Sequence, residues 1–203
     1  MIPALRATLL AFSLLAAGCA GIATAPHVPT DAAIVRNYQQ AIDIGGRMSV
    51  RYQQYGRDEA LHGSFAWQQR PGRTQLTLSS PLGQTIAQIA ILPNGATLTQ
   101  SGQPPLAAAD ADTLTAQALG WPLPVSGLRG WLQGNVTDRS GKQRVATPQD
   151  ENTDIETVDG WRIRYAAWDS SAAPRPRRID LSRTTEQAGE VALRLVIDSY
   201  EPR

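Results

Sequence analysis

Cysteine, histidine and any surplus of charge are nearly absent from this chain of 203 residues. One cysteine, Cys19, excludes an internal disulfide, and two histidines, His27 and His62, are too few for a histidine–cysteine metal cluster. The balance of 19 basic against 18 acidic residues provides no excess positive charge for nucleic acid. No apolar run reaches the roughly 20 residues that a membrane-spanning helix needs. We therefore expect no metal, no cofactor and no nucleic-acid partner.

Patterns that carry catalysis are equally sparse. The sequence has no glycine-rich phosphate loop ending in Gly-Lys-Ser/Thr, and no serine lies in a nucleophile elbow. The acidic segment Gln149–Asp159 lacks the ligand spacing and central glycine of a calcium loop, so we interpret it as a solvated loop. His62 is predicted to lie in a solvated turn beside Gly63, and a hydrolase would have to lose its activity when His62 is changed. These features argue against an enzyme.

The beginning of the chain has the pattern of a secretory signal. Arg6 is followed by an uncharged apolar run from Ala7 to Ala17, and then by Gly18-Cys19. This arrangement resembles a bacterial lipoprotein signal, in which cleavage after Gly18 leaves Cys19 as the acylated first residue. The alternative is an ordinary signal peptide with an incidental cysteine. By the same resemblance, Ala20 in place of aspartate implies sorting to the outer membrane of a Gram-negative envelope.

Three regions are predicted along the chain: a signal peptide at 1–18, a flexible lipid-anchored tether at 19–30 and one domain at 31–203. The domain begins with a predicted amphipathic helix, from an N-cap at Thr30-Asp31 to a stop at Gly45-Gly46. Alternating apolar and polar residues then predict about five strands, followed by two short helices and about three more strands. This order favours a mainly β fold, with a curved antiparallel sheet and helices across one side.

The turn between two predicted strands, Ser80-Pro81-Leu82-Gly83-Gln84, carries an apolar residue where a polar one is expected. Pro81 and Gly83 force the turn, and turns lie at the surface. Leu82 therefore either meets solvent, which is unfavourable unless an apolar partner receives it, or folds back onto the core. The residues alone do not choose between these two positions.

Taken in order with the signal, several segments of the predicted domain resemble the LolB family of outer-membrane lipoproteins. The similar segments are Gly46–Val50, Gly63–Gln68, Leu78–Thr85, Leu119–Val125, Leu128–Gly134, Gly160–Tyr165 and Leu195–Asp198. The resemblance implies an incomplete antiparallel β-barrel with a helical lid over an apolar cavity for acyl chains. It further implies that a monomer accepts acylated lipoproteins from a LolA-like periplasmic carrier. The protein would deliver them into outer-membrane lipid from a lipid-anchored position facing the periplasm.

The same resemblance implies roles for particular residues. Pro81, Leu82 and Gly83 match a protruding loop whose leucine assists delivery into the membrane. The expected acyl-binding surface consists of inward-facing apolar side chains: Phe65, Trp67, Leu76, Leu78, Ile89, Leu128 and Trp131. These side chains could instead fill a dry core. Two other functions stay open, namely a lipoprotein that binds a free lipid or apolar ligand without transferring it, and a structural subunit of an envelope assembly.

Overall fold

Ten antiparallel strands form one large sheet in the computed structural model, which describes residues 36–203. The strand order is β6-β5-β4-β3-β2-β1-β12-β11-β10-β9, so within the described residues the edges β6 and β9 do not pair and the barrel is incomplete. The strands of this sheet are β1 (Ile42–Gln54), β2 (Arg57–Arg70), β3 (Arg73–Ser79), β4 (Thr85–Leu92), β5 (Gly95–Gln100), β6 (Leu106–Ala108), β9 (Asp154–Glu156), β10 (Arg162–Trp168), β11 (Pro176–Thr185) and β12 (Gly189–Pro202). The strands β7 (Asn135–Thr137) and β8 (Gln143–Val145) form a separate two-stranded sheet and come between β6 and β9 in the sequence.

Tight turns set the register of the first strands. Tyr55 and Gly56, both at positive φ, join β1 to β2, which is the backbone geometry of a two-residue hairpin turn. Pro71 and Gly72 join β2 to β3, where proline fixes φ and glycine takes the positive value. With these registers, the buried apolar residues of neighbouring strands, such as Phe65, Leu78 and Ala87, lie opposite one another.

Two short helices follow the predicted pattern. Helix α1 (Ala111–Leu119) begins at Asp110, whose carboxylate accepts hydrogen bonds from the backbone N–H groups of Asp112 and Thr113, and it ends at Gly120 in the left-handed region. Helix α2 (Val125–Trp131) buries Val125, Leu128 and Trp131. A single 3₁₀ turn, Pro148–Asp150, comes later.

The core lies between the sheet and these helices. Helix α1 packs on β5 and β6. At the other side, the Tyr165 hydroxyl of β10 donates to the carbonyl of Trp131 at the end of α2. The helical segment therefore crosses one face of the sheet from its β5–β6 side to β10. The mainly β fold with an incomplete antiparallel barrel is confirmed.

Two predictions of local structure are wrong. Residues 36–41 form no helix, and β1 already begins at Ile42, because pairing with both β2 and β12 outweighs the helical spacing of Tyr38, Ala41 and Ile42. The acidic segment is not a plain loop either. It contains the 3₁₀ turn and the edge strand β9, where Ile155 is buried opposite Ile163.

Several predictions concern residues outside the described part of the chain. These are the signal peptide at 1–18, the tether at 19–30 with Cys19 and His27, and the start of the predicted helix at Thr30-Asp31.

Candidate functional site

The loop between β3 and β4 presents an apolar side chain to solvent. The Ser80 N–H donates to the Gln84 carbonyl at 2.8 Å, and the Gly83 N–H donates to the Ser80 carbonyl at 2.9 Å. Gly83 has φ +79°, which glycine adopts without strain. Leu82 is 88% exposed at the tip of this closed loop, so it does not fold back onto the core. The loop holds the leucine outward by its own hydrogen bonds, and the role of Leu82 in a membrane stays a prediction.

The seven predicted acyl-binding side chains come together in one core. Cross-strand pairing places Phe65 opposite Leu78, and Trp67 opposite Leu76, which in turn lies opposite Ile89. Leu128 and Trp131 join them from α2. All seven belong to a single cluster, and each of the seven is at most 5% exposed.

These seven side chains are shielded from solvent, so the core is closed to water at their positions. Trp131 also lines a surface groove of about 440 Å³ beside Val158. The structure thus brings the predicted residues together in one buried core. A helical lid that opens remains a proposal.

Helix α2 covers part of the core and has low intrinsic helix stability. It has only seven residues, two of which are the glycines Gly127 and Gly130, and each interior glycine costs about 1 kcal/mol relative to alanine. Both glycines are needed for packing, since a Cβ at 127 would overlap the Trp131 ring and a Cβ at 130 would lie 2.7 Å from the Asn135 carbonyl oxygen. Helices this short are marginal on their own. Helix α2 therefore depends on its tertiary contacts.

Asp112 ties the two helices together. Its carboxylate accepts hydrogen bonds from the backbone N–H and the hydroxyl of Ser126, in the first turn of α2. Burial raises the pKa of Asp112 above its ordinary value, while the bonds from Ser126 act in the opposite direction. The helices are thus linked through one partly desolvated carboxyl group.

A polar network at residues 38–39 holds α2 to the sheet. The buried Gln69 side chain of β2 donates to the Tyr38 hydroxyl at 2.9 Å, and the Arg129 guanidinium of α2 donates to the same hydroxyl at 3.2 Å. The Gln39 backbone N–H donates to Oε1 of Gln133 at 2.8 Å, and Nε2 of Gln133 donates to the Gln39 carbonyl at 3.1 Å. We call Arg36–Gln40 the strap. Sequence reasoning missed it because this segment has helical spacing, although Gln69 in an otherwise apolar alternation was a signal of a buried polar contact.

A second feature lies beside the β3–β4 loop. A groove of about 510 Å³ is lined by residues that include Arg47, Ser64, Pro81, Gly83 and Arg194. We call it the loop groove. His62 also lines it and is exposed within β2, so the prediction that His62 lies in a turn is wrong, while its solvation is confirmed.

The arginines of the loop groove are paired with carboxylates on neighbouring strands. Arg47 donates from Nε and Nη2 to both carboxylate oxygens of Asp198, at 3.0 and 2.9 Å. Arg194 donates to Asp180 at 2.8 Å, and Arg178 contacts the same carboxylate at 2.6 Å. The bond from Arg47 holds the pKa of Asp198 below its usual range.

Within residues 36–203, no group of three or more histidine, aspartate or glutamate side chains is placed to hold a metal ion. The same part of the chain contains no helix that is both long and apolar enough to cross a bilayer.

The family model and the sequence relatives agree on one family. Residues 40–200 match the family model "Outer membrane lipoprotein LolB". Proteins named outer-membrane lipoprotein LolB are similar to this chain: 42% identical in Cupriavidus necator, covering 93% of this chain and 92% of that protein, and 30% identical in Chromobacterium violaceum, covering 97% and 98%. Among solved structures, a LolA superfamily protein of Nitrosomonas europaea is similar at a TM-score of 0.45 and 14% identity, covering 83% of this chain and 89% of its own. On the family model and these sequence relatives, the chain belongs to the LolB family of outer-membrane lipoproteins.

Proposed function

We propose that this protein accepts acylated lipoproteins from a LolA-like periplasmic carrier and inserts them into the outer membrane without nucleotide hydrolysis. Membership of the LolB family supports a receptor role for lipoproteins. The observation that carries the delivery step is Leu82, 88% exposed on a loop that its own hydrogen bonds keep closed. In this proposal an acyl anchor on Cys19 holds the monomer at the inner face of the outer membrane.

The energetics of acyl chains require direct hand-over. Burying one methylene group is worth about 0.8 kcal/mol, so three chains of about 15 carbons gain on the order of 30 kcal/mol when they leave water. Release through water is therefore too slow to be useful. Direction can come from affinity differences, with the carrier binding the chains more weakly than this protein, and this protein more weakly than the bilayer.

The closed core must open to take an acyl chain. Helix α2 is the best candidate for the moving part, because it is short, contains two glycines and is attached by a small set of polar bonds, which join Ser126 to Asp112, Arg129 to Tyr38 and Trp131 to Tyr165. Its departure would uncover Leu128 and Trp131, which belong to the same core cluster as the apolar side chains of β2, β3 and β4. The strand residues Phe65, Trp67, Leu76, Leu78 and Ile89 then serve as the floor on which the chains lie.

A two-step transfer assay tests the proposal. A triacylated lipoprotein loaded on a LolA-type carrier is mixed with this protein, and the protein is then mixed with phospholipid vesicles, without any nucleotide. We expect cargo to move first to this protein and then to the vesicles. Cargo that stays on the carrier would contradict acceptance. Cargo that reaches this protein but never the vesicles would instead favour a lipid-binding lipoprotein that does not transfer its ligand.

A further inference from the structure

We propose that the loop groove binds the phosphate group of a bilayer phospholipid while Leu82 is in the hydrocarbon region. The inference rests on the proposed function, since the β3–β4 loop must meet a membrane for the groove to reach a lipid. It adds a headgroup site to a loop for which an apolar contact alone was expected.

The sheet register connects the groove to the loop. Ser79, the last residue of β3, lies opposite Ser64 of β2, and Ser64 lies opposite Arg47 of β1. Neighbouring strands are about 4.8 Å apart, so Arg47 lies about 10 Å across the sheet from the point where the loop begins. Pro81 and Gly83 of the loop line the same groove. An apolar group inserted at an interface reaches about 5–10 Å into the headgroup and acyl boundary, so insertion of Leu82 would bring the loop groove to headgroup depth.

The charges around the loop groove favour an anion. Across the strands β1, β12 and β11, Arg47 lies opposite Val196, which lies opposite Arg178. Two residues further along the same strands, Ser49 lies opposite Arg194, which lies opposite Asp180. Three arginines at or beside the groove, Arg47, Arg178 and Arg194, share two carboxylate partners, Asp180 and Asp198. Asp180 is bonded by both Arg178 and Arg194, whereas Asp198 is bonded by Arg47. One positive charge of this set therefore remains without a carboxylate of its own.

The groove also has the polar groups and the space that a phosphate needs. The side chains of Arg47 and Arg194 are 68% and 53% exposed, and guanidinium geometry suits phosphate oxygens. The hydroxyl groups of Ser64 and Ser80 line the same space of about 510 Å³. Gly63 keeps the strands close there, since a Cβ at this position would overlap the Ser79 carbonyl. A phosphate in the groove would be contacted by arginine and serine donors, with its acyl chains directed toward Leu82.

The test follows insertion of the loop itself. The full chain carries Cys19→Ser, so that Gln84→Cys is its sole thiol and takes an environment-sensitive fluorophore. The labelled protein is titrated with vesicles of phosphatidylcholine alone, or with phosphatidylglycerol added. One arginine near an anionic surface changes membrane affinity by about fivefold. We expect phosphatidylglycerol to strengthen loop insertion, Arg47→Gln and Arg194→Gln each to lower that affinity about fivefold, and Asp198→Asn, which frees Arg47, to raise it.

Arg73→Gln is the matched control. Arg73 is an exposed arginine at the opposite end of β3, so the net charge changes equally without touching the groove. If Arg47→Gln and Arg194→Gln bind no more weakly than Arg73→Gln, the headgroup site is overturned. Sodium phosphate should weaken insertion more than sodium chloride at equal ionic strength, because free phosphate competes for the same arginine and serine donors, and equal weakening would contradict a phosphate site in the groove. A phosphate effect that Arg47→Gln abolishes without itself weakening insertion would assign the groove to free phosphate instead of lipid. Leu82→Glu with vesicles of phosphatidylcholine alone tests the delivery loop separately, and we expect this variant to lose insertion. Failure of the headgroup site and failure of the delivery loop can therefore be told apart.

Discussion

Replacing Leu82 by glutamate should stop delivery without disturbing the fold. Leu82 is 88% exposed in the folded protein, so little apolar surface is lost to the core when it is changed. Exposed substitutions of this kind alter the free energy of unfolding by about 0.5 kcal/mol or less. A leucine that enters the bilayer gains about 1.5–3 kcal/mol, and a charged side chain in the hydrocarbon costs up to about 3 kcal/mol. We therefore expect membrane insertion to weaken by about 2–5 kcal/mol.

That free energy corresponds to a loss of about 30-fold to a few thousandfold, because 1.4 kcal/mol is a factor of ten. The assay measures the rate at which a triacylated lipoprotein, already bound to this protein, appears in vesicles. Leu92→Glu is the matched control, since Leu92 is also partly exposed but lies at the opposite end of β4, away from the loop. Chemical denaturation of both variants checks the fold. Normal delivery by Leu82→Glu would refute the membrane role of the loop.

Three further predictions concern the stability of the fold and of helix α2. Gln133→Ala removes both hydrogen bonds to Gln39, so we expect the free energy of unfolding to fall by about 1–3 kcal/mol. Amide hydrogen exchange in α2 should also become faster. Unchanged exchange would show that the strap does not hold α2. The hydrogen bond from Arg70 lowers the pKa of the Asp43 carboxyl group below its ordinary value of 3.8. The ionised carboxylate therefore stabilises the fold above pH 3.8, and this stabilisation is lost as the pH falls through the lowered pKa of the folded state. Asp43→Asn should therefore cost about 1 kcal/mol at pH 7 and progressively less as the pH falls below 3.8, as measured by urea unfolding, and a cost that stays the same over this range would contradict the assignment. Trp67→Ala should cost about 3–5 kcal/mol in denaturation, since Trp67 is 1% exposed in the core, whereas a cost below 1 kcal/mol would mean that the core is loosely packed there.

The sequence predicted the regular part of the fold well because its signals are local. Alternating residues in β3 and β4 and turn residues such as Pro71-Gly72 specify strands and register by themselves. A short helix closed at Gly120 was predicted for the same reason, with either Asp110 or Asp112 as its N-cap, and the structure shows that Asp110 is the cap. The outward position of Leu82 needed the structure, because the loop bonds between Ser80, Gly83 and Gln84 decide it.

The missed features depend on contacts between distant parts of the chain. Tyr38, Ala41 and Ile42 have the spacing of one face of a helix, but β1 is paired on both sides, and Tyr38 and Gln39 of the strap instead contact Gln69 and Gln133. The loop groove was also missed, since Arg47 and Arg194 are 147 positions apart and come together only through the pairing of β1 with β12. No local pattern in the sequence predicts such a contact.

Quenching of tryptophan fluorescence by a brominated acyl chain tests the central claim most directly. Trp67 and Trp131 lie in the core that is proposed to receive the chains, and bromine quenches a tryptophan only when the two are in contact. A triacylated peptide with bromine in its acyl chains is added to the protein, and variants that keep only Trp67 or only Trp131 assign the signal. We predict that both tryptophans are quenched when the peptide binds. Binding without quenching of either one would mean that the core stays shut and that the acyl chains are held elsewhere.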